Sequence, residues 1–198
     1  MASSIVGTTQ FAVSTAEGAL HDPGGLDVPA LRTAREEHGD DFVTRHHQGI
    51  ALPPGQELTV DCDVLVPAAL RDVIDETIAH RIKARPVVEG ANLPTSPRAQ
   101  SILAERGISL LPDFVANAGG VVAAAFAMDA RYSGFRPETA TIFETISKRL
   151  RTNAVTVLEE AQRRATTPHI AGRGLAEERV RAEERVRAAM RSKGRIGP

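Results

Sequence analysis

The sequence predicts an α/β protein built on an incomplete doubly wound parallel sheet, followed by C-terminal helices. Three observations predict it. Two short apolar runs, residues 86–90 and 108–114, each end in a polar, glycine-containing turn: Glu89-Gly90-Ala91-Asn92 and Asn117-Ala118-Gly119-Gly120. Between them, residues 96–106 carry a helix signature: Ser96 can cap, Pro97 suits the first helical position, and Gly107 follows the end. A third run, residues 60–69, has few polar side chains, as parallel strands buried on both faces do. In such sheets ligands bind outside the carboxyl ends of the strands, where both asparagine-containing turns fall.

Along the chain, residues 11–14 read as a short strand. Residues 18–25 read as a turn-rich loop, with Asp22-Pro23-Gly24-Gly25. Asp27 can cap a helix from Val28 to about His38, with Pro29 in its first turn. Leu31 and Ala34 lie on one side of it, and Arg35, Glu36 and Glu37 are solvated. Residues 39–55 read as irregular and hold His46-His47; no carboxylate or cysteine stands at ligand spacing, so a solvated loop is expected rather than a metal site. After the strand at 60–69, a helix over 73–82 is expected, started by Asp72 or its neighbour, with Val73, Ile74, Ile78 and Ile82 along one stripe. Residues 121–128 are small and apolar on all sides, which predicts a buried helix. Pro137 opens a long helix to about Arg164. In it Ile142, Ile146, Leu150, Ala154, Val157, Leu158 and Ala161 recur as a core-facing stripe. Residues 166–174 break the pattern with Pro168 and two glycines.

The last helix holds a tandem repeat: residues 176–181, AEERVR, recur at once as residues 182–187. Six residues advance an α-helix by about 600°, roughly 120° short of two turns. Val180 and Val186 therefore cannot share a face, and a repeat that served packing would use seven or eleven residues. The repeat reads as a duplication that turns Met190 off its former side.

Composition excludes several function classes. The 198 residues are 42% apolar and 25% charged with a net charge of -1, so nothing draws the chain to nucleic acid or anionic lipid. No run approaches the ~18 apolar residues of a membrane span, and no basic stretch followed by an apolar core marks a secretory signal. Cys62 is the single cysteine, which excludes an internal disulfide and fits a reducing cytoplasm. With no histidine motif beside it, Cys62 reads as core packing rather than a nucleophile.

The paired motifs carry a resemblance. V-E-G-A-N-x-P-T-x-x-A, from Val88, followed by L-P-D-x-x-A-N-A-G-G-V, from Leu111, resembles the cofactor domain of the glutamate/leucine/phenylalanine/valine dehydrogenases. Residues 61–69, DCDVLVPAA, resemble that family's preceding strand, and residues 12–27 the strand and loop before it. The likeness runs from about Gln10 to the C-terminal helices, in family order and spacing. It implies a Rossmann-like, partial dinucleotide-binding domain over residues 1–135 and a C-terminal helical segment over 136–198. The implied reaction is NAD(P)-dependent oxidative deamination of an L-amino acid to a 2-oxo acid, in the cytoplasm. The implied partners are a small amino acid, NAD or NADP, and a homo-oligomer or full-length homologous subunits, hexamers being the family's habit.

Site residues follow from the resemblance position by position. Asn92 and Asn117 match positions near the nicotinamide, where an amide can recognise a carboxamide without charge. Ala68 and Ala69 match the strand end whose backbone lines the adenosine side. Gly119, with Gly120, permits close backbone approach or positive φ. Asp113 is suited to cap the following segment or orient Asn117. Val121 and Ala124 match the substrate side. The family's G-x-G-x-x-G is missing from the 198 residues, as is its substrate domain with the catalytic lysine and aspartate; Lys83, Lys148 and Lys193 lie outside any matching motif, so no catalytic residue is assigned.

The absent strand would lie mid-sheet, leaving the strand at 11–14 to pair with 60–69, to be loosely held, or to be completed by another chain. Two departures bear on specificity. Thr15 stands where an NAD enzyme carries the acid that holds the ribose 2′-hydroxyl; the nearest charge along the chain is Glu17, with no arginine at hand. NADP or dual use is therefore expected over strict NAD. Ala124 stands where glutamate-specific members carry a serine, which argues for an apolar amino acid or a non-glutamate pocket. Residues 1–198 alone are expected to be inactive. The alternatives are a non-catalytic assembly module and a truncated gene product.

Overall fold

The computed structural model describes residues 9–45, 49–134 and 136–193, with side chains up to residue 190 except at residue 189. His46 and His47 lie outside the described residues. The chain divides into two compact units, residues 1–108 and 109–198.

The first unit opens with an antiparallel sheet in the order β1 (Ala12–Thr15), β2 (Gly18–His21), β3 (Ile50–Leu52). This corrects the expectation of a loop at 18–25 and of a first strand without a neighbour. Thr15 pairs with Gly18, and Leu20 pairs with Ala51. The chain turns through Ala16-Glu17, and the Thr15 hydroxyl accepts the Glu17 N–H at 3.1 Å, which fixes a short-range hairpin. The segment 39–55 is likewise more ordered than expected. It holds a 3-10 turn at Gly39–Asp41 and the short helix α2 (Phe42–Arg45). Phe42 and Val43 are its anchors: they close a core with Leu20, Leu26 and Leu31. Helix α1 (Val28–His38) forms as its signals predict, with the Asp27 carboxylate accepting the Ala30 N–H at 3.0 Å.

Residues 60–69 are not a regular strand, contrary to expectation. They run extended and meet their neighbour in one parallel bridge, Leu65 to Val87. Val64 and Val66 remain exposed, because backbone pairing reaches this segment from one side among the described residues. The following helix is shorter than expected. Helix α3 spans Glu76–Arg81 and is capped by Asp75, whose carboxylate accepts the Ile78 N–H at 2.8 Å. Asp72 cannot cap it, since its own φ is 55° and Ile74 is held in a parallel bridge to Thr95. The apolar run 86–90 contributes only β4 (Val87–Val88). Helix α4 (Pro97–Glu105) then follows its sequence signature closely: Ser96 Oγ accepts the Ala99 N–H at 3.3 Å, and Gly107 takes φ 68° just past the end. Arg106 ties α4 back to α3 by donating to the carbonyls of Ala79 and, at 2.7 Å, Ile82. A cation at a helix C-terminus satisfies carbonyls that have no partner within the helix.

The second unit begins with β5 (Leu110–Leu111) and the single-turn helix α5 (Asp113–Ala116), so the run expected as one strand over 108–114 is a two-residue strand that gives way to a helix at 113. Asp113 ends the strand by accepting the Phe114 N–H at 2.6 Å. Helices α6 (Gly119–Ser133), α7 (Thr139–Arg163) and α8 (Pro168–Lys193) complete it. Helix α6 corrects the expectation of burial: none of its residues is buried. Helix α7 is amphipathic, with Val157 and Ala161 of the expected stripe buried and Ile142, Ile146, Leu150 and Ala154 half-buried, but Leu158 is exposed, contrary to expectation. It stops in a Schellman arrangement, in which the Thr166 N–H donates to the Ala161 carbonyl at 2.9 Å across Ala165, whose φ is 49°. The expected break at 166–174 is confined to this turn. Pro168 opens α8, and its glycines lie within the helix, where they make room: a side chain at Gly172 would meet the Phe114 ring at 2.8 Å, and one at Gly174 the Arg164 guanidinium at 3.3 Å. Val180 and Val186 are both exposed, as is Met190.

Candidate functional site

In the first unit the two strand-end turns are stitched side by side. Leu65 receives from Val88 at 2.9 Å and donates to the Pro86 carbonyl at 3.1 Å. The Pro67 carbonyl accepts both the Gly90 and Ala91 N–H groups at 3.0 Å. One turn further, Asp72 donates to the Leu93 carbonyl at 3.0 Å, Ile74 to that of Pro94 at 2.9 Å, and Ser96 to that of Ile74 at 3.1 Å. The result is a parallel ladder that opens around residues 68–71 and 91–92 and closes again. Ala68 lies against Gly90, where an added Cβ would sit 3.1 Å from the Ala68 Cβ. Asp72 and Leu93, bonded to each other across the gap, both hold positive φ, 55° and 50°. Backbone strain of this kind persists only where surrounding bonds impose it, and it concentrates at ligand sites. Ala68, Ala69 and Asn92 are exposed on this lip, above the buried Pro67, Pro94 and Glu89.

Thr15, the last residue of β1, is fully engaged as a donor. Its one O–H proton goes to the Asp40 carbonyl at 2.9 Å. The Gly39–Asp41 turn that supplies this carbonyl is flanked by arginines. Arg35 stands 3.8 Å from the Asp40 carboxylate, and Arg45 donates to the Asp41 carboxylate at 3.1 Å. Arg35 is thus linked to Thr15 through Asp40. Sequence reasoning missed it because Arg35 is twenty positions from Thr15 and meets it only through the 3-10 turn.

In the second unit, Asn117 is the C-cap of α5 and donates its backbone N–H to the Asp113 carbonyl at 2.7 Å. Gly119 opens α6 with ordinary helical backbone rather than positive φ, and a Cβ there would touch Ile146 of α7 at 3.3 Å. Close approach is therefore its structural use. Val121 and Ala124, one turn apart on α6, share an exposed face, with Val121 74% accessible. Asn117, Gly119, Val121 and Ala124 thus gather at the corner between α5 and α6.

Two other groups define what the molecule does not offer. Cys62 is half-buried in an open depression of about 410 Å³ lined by Phe11, Asp61, Asp63, Lys83 and Arg85, rather than in the core. Burial first, then Asp61 and Asp63, push its thiol pKa up, away from the thiolate that a nucleophile needs. Among the described residues no cluster of histidine, cysteine or carboxylate could hold a metal ion, and no helix is long and apolar enough to cross a membrane.

Parallel backbone pairing, with polar turns at the ends of the paired segments and helices between them, defines a Rossmann-type α/β protein. Residues 2–194 match the model of the Glutamate/Leucine/Phenylalanine/Valine dehydrogenase family, and the chain belongs to that family. It is 39% identical over 166 residues to the NAD-specific glutamate dehydrogenase of Staphylococcus aureus, covering 84% of this chain and 39% of the relative. It is 37% identical over 166 residues to the NADP-specific glutamate dehydrogenase A1 of Halobacterium salinarum, covering 83% and 39%. Among solved structures it resembles the hetero-hexameric glutamate dehydrogenase of Thermus thermophilus in a leucine-bound form, with a TM-score of 0.77, 27% identity, and coverage of 89% of this chain and 41% of that one. The chain thus spans about two-fifths of the length of these relatives.

Proposed function

We propose that this chain is the nucleotide-binding part of an NAD(P)-dependent amino-acid dehydrogenase, which converts an L-amino acid to its 2-oxo acid. The observation that carries the reading is the ladder-pinned lip bearing Ala68, Ala69 and Asn92, within a family match of residues 2–194. The relatives' names, one NAD-specific and one NADP-specific, support a nicotinamide cofactor of either kind. The donor set fits such a group. Asn92 and Asn117 offer neutral amides for the carboxamide, the backbone at Ala68 and Ala69 offers an edge for the adenosine, and Thr15 stands at the ribose. When bound, the cofactor supplies the hydride acceptor. The first unit's part is to hold the cofactor at Asn92, Ala68 and Ala69; in the second unit Asn117, Gly119, Val121 and Ala124 are the residues proposed for the nicotinamide and the amino acid. Residues up to 135 carry the nucleotide, and those from 136 on form the helical segment.

Residues 1–198 by themselves contain no G-x-G-x-x-G turn to receive the pyrophosphate and no lysine in a matching motif. Turnover therefore needs groups beyond these residues, since general acid–base help alone is worth about 10²–10⁴ in rate. A second reading, a module that assembles with full-length homologous subunits, is favoured by the hetero-hexameric character of the Thermus relative. Either role suits a cytoplasmic protein.

The test has two arms. Residues 1–198 are titrated with NADH and NADPH by fluorescence and assayed with leucine, valine, phenylalanine and glutamate. Weak binding and no turnover are expected. The chain is then joined to the N-terminal half of the Staphylococcus relative. Turnover should appear, Asn92→Ala should raise the cofactor KM, and Ala124→Ser should shift the preference toward glutamate. A folded chimera that oxidises none of these amino acids overturns the reading. So does saturable micromolar binding with turnover by residues 1–198 alone.

A further inference from the structure

We propose that His169 is a positioning residue for Asn117: from α8 it holds α5 through the Phe114 ring, so that the corner bearing Asn117 responds to the charge on His169. The role rests on the nucleotide-binding reading above for what Asn117 does, and on contacts within the second unit for how Asn117 is held. Helix α5 is a single turn, too short to be rigid by itself. Asn117 is joined to it by donating its N–H to the Asp113 carbonyl at 2.7 Å, and the Asp113 carboxylate accepts the Phe114 N–H at 2.6 Å. The placement of Asn117 therefore runs through Asp113 to Phe114.

Phe114 is fixed from α8. Its ring meets His169 edge-on, with centroids 5.4 Å apart and planes at 76°. The same ring fills the hollow at Gly172, where an added Cβ would stand 2.8 Å from Cε2 and 3.1 Å from Cζ, and Val157 of α7 borders that hollow at 3.5 Å. Phe114 is still 43% exposed, so these contacts set its place rather than enclosure. His169 is half-buried, and burial first, then Arg173, push its pKa below the ordinary value near 6.5 while Asp113 opposes them. Arg173 lies on its own helix and Asp113 on α5; Leu110 and Leu111 of β5 and Val157 of α7 bring no charge. A neutral imidazole can stay against Phe114. An imidazolium is driven toward water by the loss of hydration and by Arg173. A base whose pKa is lowered on folding stabilises fully above its unfolded value and loses that contribution as pH falls through the folded one. Phe114 then loses its edge contact, and Asn117 loses part of its anchorage.

The test follows residues 1–198 by NMR from about pH 8 to about pH 5, the range over which histidines change charge. The ring protons of His169 should titrate with a midpoint below 6.5, and the side-chain amide of Asn117 should shift with the same midpoint. His169→Gln should abolish that shift, and His80→Gln should leave it unchanged. In Phe114→Leu, His169 should still titrate but Asn117 should no longer follow. An Asn117 amide that ignores His169 in the unaltered chain, or that follows it equally in Phe114→Leu, overturns the proposal. Nicotinamide mononucleotide at millimolar concentration and neutral pH probes the link to function. Its Kd should rise about two- to tenfold in His169→Ala, the span of one edge-to-face ring contact, and His169→Ala should add nothing once Asn117 is alanine. Fully additive effects overturn the proposal. No binding of this probe by the unaltered chain overturns the nicotinamide reading of Asn117, while the pH titration still decides whether His169 positions that residue.

Discussion

The two compact units support their candidate ligand residues in different ways. In the first, Ala68 and Asn92 sit on loops, yet those loops are bonded to each other through Pro67, Asp72 and Ile74 and lie over buried side chains. In the second, Val121 and Ala124 sit on a regular helix that buries none of its residues. The loops are thus fixed more firmly than the helix. What positions a residue is the number of directions from which its backbone and neighbours are held, and secondary structure alone does not supply that.

Truncations in the two units should differ most where burial differs most. Leu103, fully buried in α4, should cost about 2–5 kcal/mol when cut to alanine, whereas Val121→Ala on α6 should cost about 0.5 kcal/mol or less. Urea unfolding curves of the two variants give both numbers, and equal losses would erase the contrast. Next in size is Gly90→Ala. Its new methyl would stand 3.1 Å from the Ala68 Cβ and 3.5 Å from the Ala68 Cα, on loops that cannot part without losing ladder bonds, so a loss of about 1–3 kcal/mol is expected. Gly120→Ala has open space around it and should be neutral or stabilising by up to about 1 kcal/mol. Denaturation midpoints that move the same way for both glycines would show that the lip yields.

A smaller effect of opposite sign is expected where α7 ends. Ala165 holds φ 49°, a region that favours glycine, so Ala165→Gly should raise stability by about 0.5 kcal/mol, less than the full strain because glycine also loosens the unfolded chain. A lowered thermal midpoint would show that the turn prefers its methyl group.

The smallest expected effect is electrostatic. Hydrogen bonds from Arg163 and Arg164 hold the Glu160 carboxyl down at about 2. A carboxyl depressed on folding contributes stability above its unfolded pKa, near 4.5, and loses it as pH falls toward 2. Arg164 also donates to Glu178 at 3.0 Å, so this cluster clasps α7 to α8. Glu160→Gln should flatten the decline in stability between pH 4.5 and 2, more visibly at low salt than at high. An unchanged acid limb in that variant would assign the decline to other carboxyls.

Locally encoded features were legible in the sequence. Asp27 and Ser96 cap where they were expected to, Gly107 closes α4, and the stripe of Val157 and Ala161 faces inward. Features set by distant partners were not. The run 60–69 has the composition of a buried strand, but a strand needs neighbours, and composition does not report how many are present. The hairpin at residues 12–21 escaped because Gly18 and the later glycines imitate a loop. In α8, glycines that normally interrupt a helix serve as hollows for Phe114 and Arg164. At the candidate site, the motif residues Asn92 and Ala68 were legible from their turns. The link from Thr15 through Asp40 to Arg35 was not, because no periodicity pairs residues twenty-five apart.

The bonded pair of left-handed residues, Asp72 and Leu93, has a consequence for timing as well as for shape. Neither turn can relax to a commoner conformation without breaking the bond to the other, so both should fluctuate as one body. A molecule settling on this lip meets a surface whose ordering entropy was spent when the chain folded, at about 1–2 kcal/mol for each backbone position already fixed. Association there should be limited by encounter rather than by loop closure. The amide protons of Asp72, Ile74, Gly90 and Ala91 should exchange slowly with or without a ligand.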